Sequence, residues 1–228
     1  MPNPDGVLRP AAAALSANDE AAWARHVAEI EANVAGQQER HLAERFARAM
    51  ELLGDEKPEV RWGGIFALER LSRRSAQDQS TIAEVLATYV RRRAPWKPGQ
   101  PTTRIESETQ LIITVLARRS WPYQSEDRPL DLHATNLAKA HLPFAHLEAA
   151  FLYDCNLEGA LLHQGHLEGA WMARCNLKNA NLDGAHLQGA DLSNATGLVE
   201  DQLRHCRLNT KTILPTALAL KLRLPARS

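Results

Sequence analysis

Two rhythms of apolar residues divide the chain. From residue 17 to about 122 the apolar positions recur every three or four residues, the spacing of one helical face. Trp23, Val27, Ile30 and Val34 form one such stripe, and Phe46, Met50 and Leu53 resume it beyond Gly36-Gln37-Gln38. Gly54 reads as the residue just past that helix. Pro58 opens another, with Val60, Ile65, Leu68 and Leu71 on its apolar face. Further helices are predicted from about Ser80 to Arg93 and from about Thr103 to Arg119. They are separated by Pro95 and Pro98, and the second stops before Trp121-Pro122. Leu71-Ser-Arg-Arg-Ser75 returns as Leu116-Ala-Arg-Arg-Ser120 at a shift of 45 residues. The same shift pairs Val60 with Ile105 and Leu68 with Ile113 but sets Gln110 opposite Ile65. A period near 45 built of helices suggests HEAT-like stacking.

The second rhythm begins after Arg128. A large apolar residue recurs every five positions: Leu132, Leu137, Leu142, Leu147, Leu152, Leu157, Leu162, Leu167, Met172, Leu177, Leu182, Leu187 and Leu192. Two residues before each stands a small one, mostly Ala, with Leu130, Thr135, Cys155, Gly165 and Cys175 as exceptions. Neither a helix, of period 3.6, nor a flat strand, of period 2, keeps this register. A chain that turns a corner every five residues does. One large and one small apolar residue then point inward on each side, and the backbone groups pair between stacked coils.

The position just before each central residue is read as outward-facing and reports the number of sides. At a lag of 20 residues, four of nine such pairs are identical: Asn136/Asn156, Asn156/Asn176, His146/His166 and His166/His186. At lags of 10 and 15 none are. Four sides therefore make one coil, and just over three coils give a tower roughly 15 Å tall at about 4.8 Å per layer. The helical half is the expected cap of its first edge.

Composition narrows the class. The 228 residues carry 27 Lys+Arg and 27 Asp+Glu, so the net charge is zero and bulk basicity does not point to nucleic acid. Aromatics are only 5%, consistent with a core of small and aliphatic side chains. Cys155, Cys175 and Cys206 show no CxxC spacing, so neither a disulfide framework nor a thiolate zinc site is expected. Residues 1–20 lack a basic stretch followed by a long apolar one, and no apolar run nears the ~18–20 residues of a bilayer span. The expected location is the cytoplasm.

The run Asn176-Leu-Lys-Asn-Ala-Asn-Leu-Asp-Gly-Ala-His-Leu-Gln-Gly-Ala-Asp-Leu-Ser-Asn-Ala195 resembles the pentapeptide-repeat family, whose unit is A-(D/N)-L-x-x. The resemblance implies a right-handed quadrilateral β-helix and a role in protein interaction. Ala195 to Leu203 and Thr212-Ile-Leu-Pro215 look like the closing segment of bacterial members, with a short helix near Glu200–Cys206. Val60-Arg61-Trp62-Gly63-Gly64-Ile65-Phe66-Ala67-Leu68-Glu69-Arg70-Leu71 is similar to the helical region preceding the repeats in actinobacterial members. The expected fold is therefore α+β and multidomain. Residues 1–16 form a flexible N-terminus, 17–122 an α-helical HEAT-like region, 129–195 the parallel β-helix, and 196–228 a C-terminal cap with a mobile basic tail.

Several constellations invite chemistry. His146, His166 and His186 form a column beside Glu148, Glu168 and Gln188. Stacked imidazoles could share a metal or sense pH below ~6.5. Stacking of neutral rings on a solvated face explains the pattern equally. Asp131, Phe151, Trp171 and Asp191 form another column, with Tyr153 two residues from Phe151; it is either a partner surface or a seat for the chain's own segments. Cys155 and Cys175 read as small core residues. Arg91-Arg92-Arg93 suits either a phosphate or the end of a helix. No phosphate loop, nucleophile elbow, HExxH or paired-carboxylate motif is present, so no enzyme, catalytic residue, metal or cofactor is expected.

The favoured role is a non-enzymatic protein-interaction scaffold with an unidentified protein partner and no nucleic-acid partner. The alternatives are a gyrase-protecting DNA mimic and a histidine-column pH or metal sensor. For the mimic, residues 129–195 hold seven acids against three bases, with the acids not in continuous columns. The oligomeric state is left open.

Overall fold

The computed structural model describes residues 28, 36–37, 39–118 and 129–222, without the side chains of 76 and 77. The N-terminal stripe from Trp23 to Val34, the flexible N-terminus, Trp121-Pro122 and the last six residues lie outside these. The chain divides into two compact units, Met1–Ala47 and Arg48–Ser228. In the first, residues 39–47 are helical. The second contains the remaining helices and the whole five-residue repeat, so the change of rhythm near residue 129 falls inside one compact body.

That unit begins with helical residues 48–53. Gly54 follows, its amide held by the Met50 and Glu51 carbonyls at 3.1 Å each. Gly54 is thus the residue just past the helix, and its backbone is not left-handed. Helix α1 spans Pro58–Ser72 and buries Ile65, Leu68 and Leu71, as the stripe predicts. Gly64 sits where a Cβ would come within 2.6 Å of the Leu53 amide nitrogen and 2.8 Å of the Ala49 carbonyl. Backbone-to-backbone packing of these helices therefore requires glycine there.

Helix α2 spans Ala76–Arg93, starting four residues before the predicted Ser80. Ser75 is the cap, its hydroxyl accepting the Asp78 amide at 3.3 Å. Helix α3, Ser107–Ala117, starts four residues later than predicted. The reason is tertiary: Thr103 and Ile105 are engaged by the coil, the latter through its amide to the Ala138 carbonyl at 3.4 Å. Leu71 and Leu116, and likewise Leu68 and Ile113, are buried on α1 and α3. Gln110, the mismatch opposite Ile65, instead caps the coil edge at His141, accepting its amide at 2.8 Å and donating to its carbonyl at 3.0 Å.

From residue 131 the chain coils with one parallel bridge per side, each joining residues 20 apart, such as Asp131 to Phe151 and Asn136 to Asn156. Sides of five residues leave room for a single rung between corners, which is why no long strands form. The central Leu and Met residues are buried throughout, and the small residues two before them are inside as well. Each corner is a turn such as Ala140 N–H to Leu137 carbonyl, 3.1 Å. Its third residue has positive φ at all thirteen corners, from 51° at Ala134 to 73° at Gly189. Nine of these are not glycine and take a backbone conformation that disfavours a Cβ.

Both coil edges are sealed by hydrogen bonds. At the first, Asn136, His146 and Trp96 amides donate to the Ala94, Ala117 and Ala134 carbonyls, each at 2.8 Å. At the last edge the repeat outlives its sequence signal. Thr196 bridges Asn176, Arg207 bridges His186, and Ile213 bridges Asp191, so segments beyond the recognisable repeat supply three more rungs. The fourth side is closed by α4, Glu200–Leu203, whose Gln202 amide group donates to the Leu177 and Ala180 carbonyls at 2.8 Å each. An unpredicted helix α5, Thr216–Leu222, buries Leu218 and Ala219. The described part of the expected mobile tail is thus built into the coil through residue 213.

Candidate interaction faces and functional site

The columns assemble as the lag of 20 predicts, and each acquires its own chemistry. On one side Asn156 Nδ2 donates to Asn136 Oδ1 at 3.1 Å and Asn176 Nδ2 to Asn156 Oδ1 at 3.0 Å. This ladder does not face water as predicted: Asn156 is 0% exposed. Thr102 and Thr103 lie across it, with Asn136 Nδ2 donating to the Thr103 carbonyl at 2.9 Å and Thr102 Oγ1 to Glu158 Oε2 at 2.6 Å.

On the opposite side, two corners on, His146 and His166 stack with ring centres 4.8 Å apart and planes 4° from parallel. His166 and His186 are 4.5 Å apart, but tilted by 65°. Their tilt brings both rings to one carboxylate: Glu168 Oε1 lies 3.2 Å from His166 Nδ1 and 2.9 Å from His186 Nδ1. Glu148 Oε1 meets His146 Nδ1 at 2.8 Å. The second oxygens of both glutamates, and Gln188 Oε1 below them, are buried and have no hydrogen-bond partner. Burial works to raise the Glu168 carboxyl, but its own amide and the His186 and His166 rings outweigh it and hold it below the usual range. Two groups, His146-Glu148-His166 and His166-Glu168-His186, have ligand atoms all within 4.8 Å of one another, a geometry open to a cation.

The aromatic column puts Phe151 against Trp171 at 5.1 Å, and Tyr153 lies 6.4 Å from Phe151 while stacking on His133 at 4.9 Å. Trp171 remains 56% exposed. Asp131, at the column's first rung, pairs with Arg91 at 3.0 Å and with His133 Nδ1 at 2.6 Å. Arg91 is thereby committed to the protein rather than to a phosphate. Phe144, at a corner, adds another exposed ring.

Inside, Cys155 and Cys175 take alanine positions, and each thiol donates to a carbonyl of the coil before it, Leu132 at 3.0 Å and Leu152 at 2.8 Å. Burial pushes the Cys175 thiol well up, and burial with nearby Asp183 pushes Cys206 up to about 12, so neither is a ready nucleophile.

One charged cluster gave no sequence signal. Glu108, 6% exposed on α3, receives Arg61 Nη2 at 2.6 Å and Nε at 2.8 Å, and a hydrogen bond from the Tyr89 hydroxyl. Arg93 stands 4.0 Å away. Burial would raise this carboxyl, but the hydrogen bonds and positive charges prevail and hold it low. An open cleft of about 1010 Å³ lies beside the cluster, lined by Arg61, Tyr89, Arg92 and Arg93 and by the acids Asp55, Glu56 and Glu84. Trp62 and Phe66, named in the sequence only as part of the helical run 60–71, are also exposed on α1.

Residues 131–164 and 166–196 match the family model "Pentapeptide repeats" in eight copies. Among solved structures, the chain is similar to a pentapeptide repeat protein from the cyanobacterium Cyanothece 51142, at 27% identity, TM-score 0.23, covering 40% of this chain and 67% of that one. A pentapeptide repeat protein from Nostoc Pcc 7120 matches at 23% identity and TM-score 0.26, covering 43% and 86%. QnrB1, a plasmid-mediated fluoroquinolone resistance protein, matches at 18% identity and TM-score 0.22, covering 43% and 45%. No curated protein matches the chain.

Proposed function

We propose that this chain acts as a non-enzymatic protein-interaction scaffold, a reading supported by the match of residues 131–164 and 166–196 to the pentapeptide-repeat family model. In this reading the coil is a right-handed quadrilateral β-helix, α1 to α3 form a HEAT-like cap on it, and the protein works in the cytoplasm. The observation that carries the reading is the Phe151–Trp171 pair. Two aromatic rings sit on a side whose backbone is fixed by rungs above and below, and Trp171 is more than half exposed. A rigid exposed tryptophan contributes much contact area at little entropic cost, the property of interface anchors. Among the described residues no helix is long and apolar enough to cross a membrane.

The DNA-mimic reading draws less support, since a mimic needs rows of unpaired carboxylates. Asp154 is clamped by Arg174 at 2.7 and 2.6 Å, Glu158 meets Lys178 at 3.6 Å, and Asp183 meets His205 at 2.8 Å.

Affinity capture from a bacterial lysate tests the scaffold. The full chain is compared with Phe151→Ala/Trp171→Ala and with His146→Ala/His166→Ala/His186→Ala, each checked for folding by circular dichroism. A specific partner lost only with the aromatic variant is the expected result. Identical captured sets from all three proteins would overturn the aromatic face as the binding side. Protection of gyrase supercoiling in vitro would instead favour the mimic.

A further inference from the structure

We propose that His166, Glu168 and His186 bind one divalent transition-metal ion of the zinc class on the outer face of the coil. The sequence offered metal sharing only as an alternative, from the recurrence of His146, His166 and His186 beside Glu148, Glu168 and Gln188. The structure adds convergence. A tetrahedral ion with N and O ligands at about 2.0–2.2 Å holds its donor atoms about 3.3 Å apart. Two of the three edges already have nearly that length, 3.2 Å from Glu168 Oε1 to His166 Nδ1 and 2.9 Å to His186 Nδ1. The third lies within 4.8 Å and closes by further tilt of rings that already stand at 65°.

A second observation is independent of this geometry. Glu168 Oε2 is buried without a partner, and so is Gln188 Oε1 in the same column. Buried acceptor oxygens that lack donors are costly, and a cation is what such oxygens lack. Imidazole nitrogens select zinc, copper or nickel over calcium or magnesium, which prefer all-oxygen shells. Binding at Nδ1 moves the proton of a neutral ring to Nε2, so the coordination releases no proton from the rings. The upper group is less suited: His146 and His166 are parallel at 4.8 Å, and Glu148 meets only His146. The next rung is Arg207, whose side chain is exposed.

Zinc titrated into the full chain at neutral pH, followed by calorimetry and by long-range proton–nitrogen spectra of the imidazoles, tests this. One site is expected, with shifts at His166 and His186. Co2+ in its place should give visible d–d absorption. Glu168→Gln, which keeps the side-chain shape, and His186→Ala should each weaken zinc at least tenfold and abolish the cobalt bands. Cys206→Ser should bind as wild type. The proposal is overturned by three results: no heat and no imidazole shift up to millimolar zinc; undiminished binding in Glu168→Gln; or a tenfold loss in His146→Ala with Glu168→Gln unaffected, which would place the ion in the upper group. Scaffold capture in metal-free buffer is a separate readout, so failure of one idea leaves the other standing.

Discussion

In α1 to α3 every buried contact occurs once, whereas in the coil each contact has a copy one turn above or below. The helices meet around a single carboxylate, Glu108, whose ligands come from α1 and α2. The coil has no such keystone among the described residues. Its core is a file of leucines, and its polar pairing is a ladder of three asparagines. One region concentrates its specificity in a few atoms and the other distributes it, so equal chemical insults should not have equal effects.

The largest break in that comparison is Arg61→Met. It leaves Glu108 buried without its main partner, and a loss of about 3–5 kcal/mol is expected in urea unfolding. Adding Glu108→Gln removes the stranded charge and should recover most of the loss. Leu157→Ala, in mid-coil, should cost about 3 kcal/mol through lost burial and a cavity. Because residues 48–228 form one compact unit, both variants should move a single transition seen alike at Trp96 and Trp171. Two separated transitions would show that the regions unfold independently.

Asn156→Ala removes the middle of the ladder and takes the acceptor from the Glu158 amide, while Asn136 Oδ1 keeps the Ala138 amide; about 2 kcal/mol is expected by thermal melting. Acid acts on both regions. Glu108, Asp154 and Glu168 are held below their ordinary range, so the stability they contribute is complete above pH ~4.5 and is lost as pH falls through the lowered values. Glu108→Gln should flatten the part of this acid slope that belongs to the helices. Smallest, and opposite in sign, is Ala149→Gly. Relief of a positive φ of 54° should outweigh glycine's added chain entropy and stabilise the coil by about 0.5 kcal/mol.

The same contrast decides what could be read from sequence. The coil was legible because each side is a local event, one corner per five residues, and its repetition made thirteen observations of one rule. The left-handed corners were not legible: glycine stands at only four of them, 159, 169, 184 and 189, and nine residues of seven other types hold the rest. Legibility ended where repetition did: Arg207 and Ile213 complete two columns after an excursion through α4 that breaks the register of five. The Arg61–Glu108 pair, 47 residues apart, left no periodic trace. The histidine column was visible as a list of residues. The convergence of two rings on Glu168 was not, because it depends on a ring tilt that no spacing encodes.

The corners also restrict how this chain can change length. Because each turn consumes five residues, inserting or deleting one to four within the repeat would send every downstream leucine out of the interior. A change of five, ten or fifteen would keep the core but rotate the asparagines, imidazoles and aromatic rings onto other sides. Only a gain or loss of twenty leaves each ladder on its own wall, changing the height by one storey of about 4.8 Å. The tower is therefore adjustable in discrete steps, and its surface pattern is inherited intact only by whole storeys.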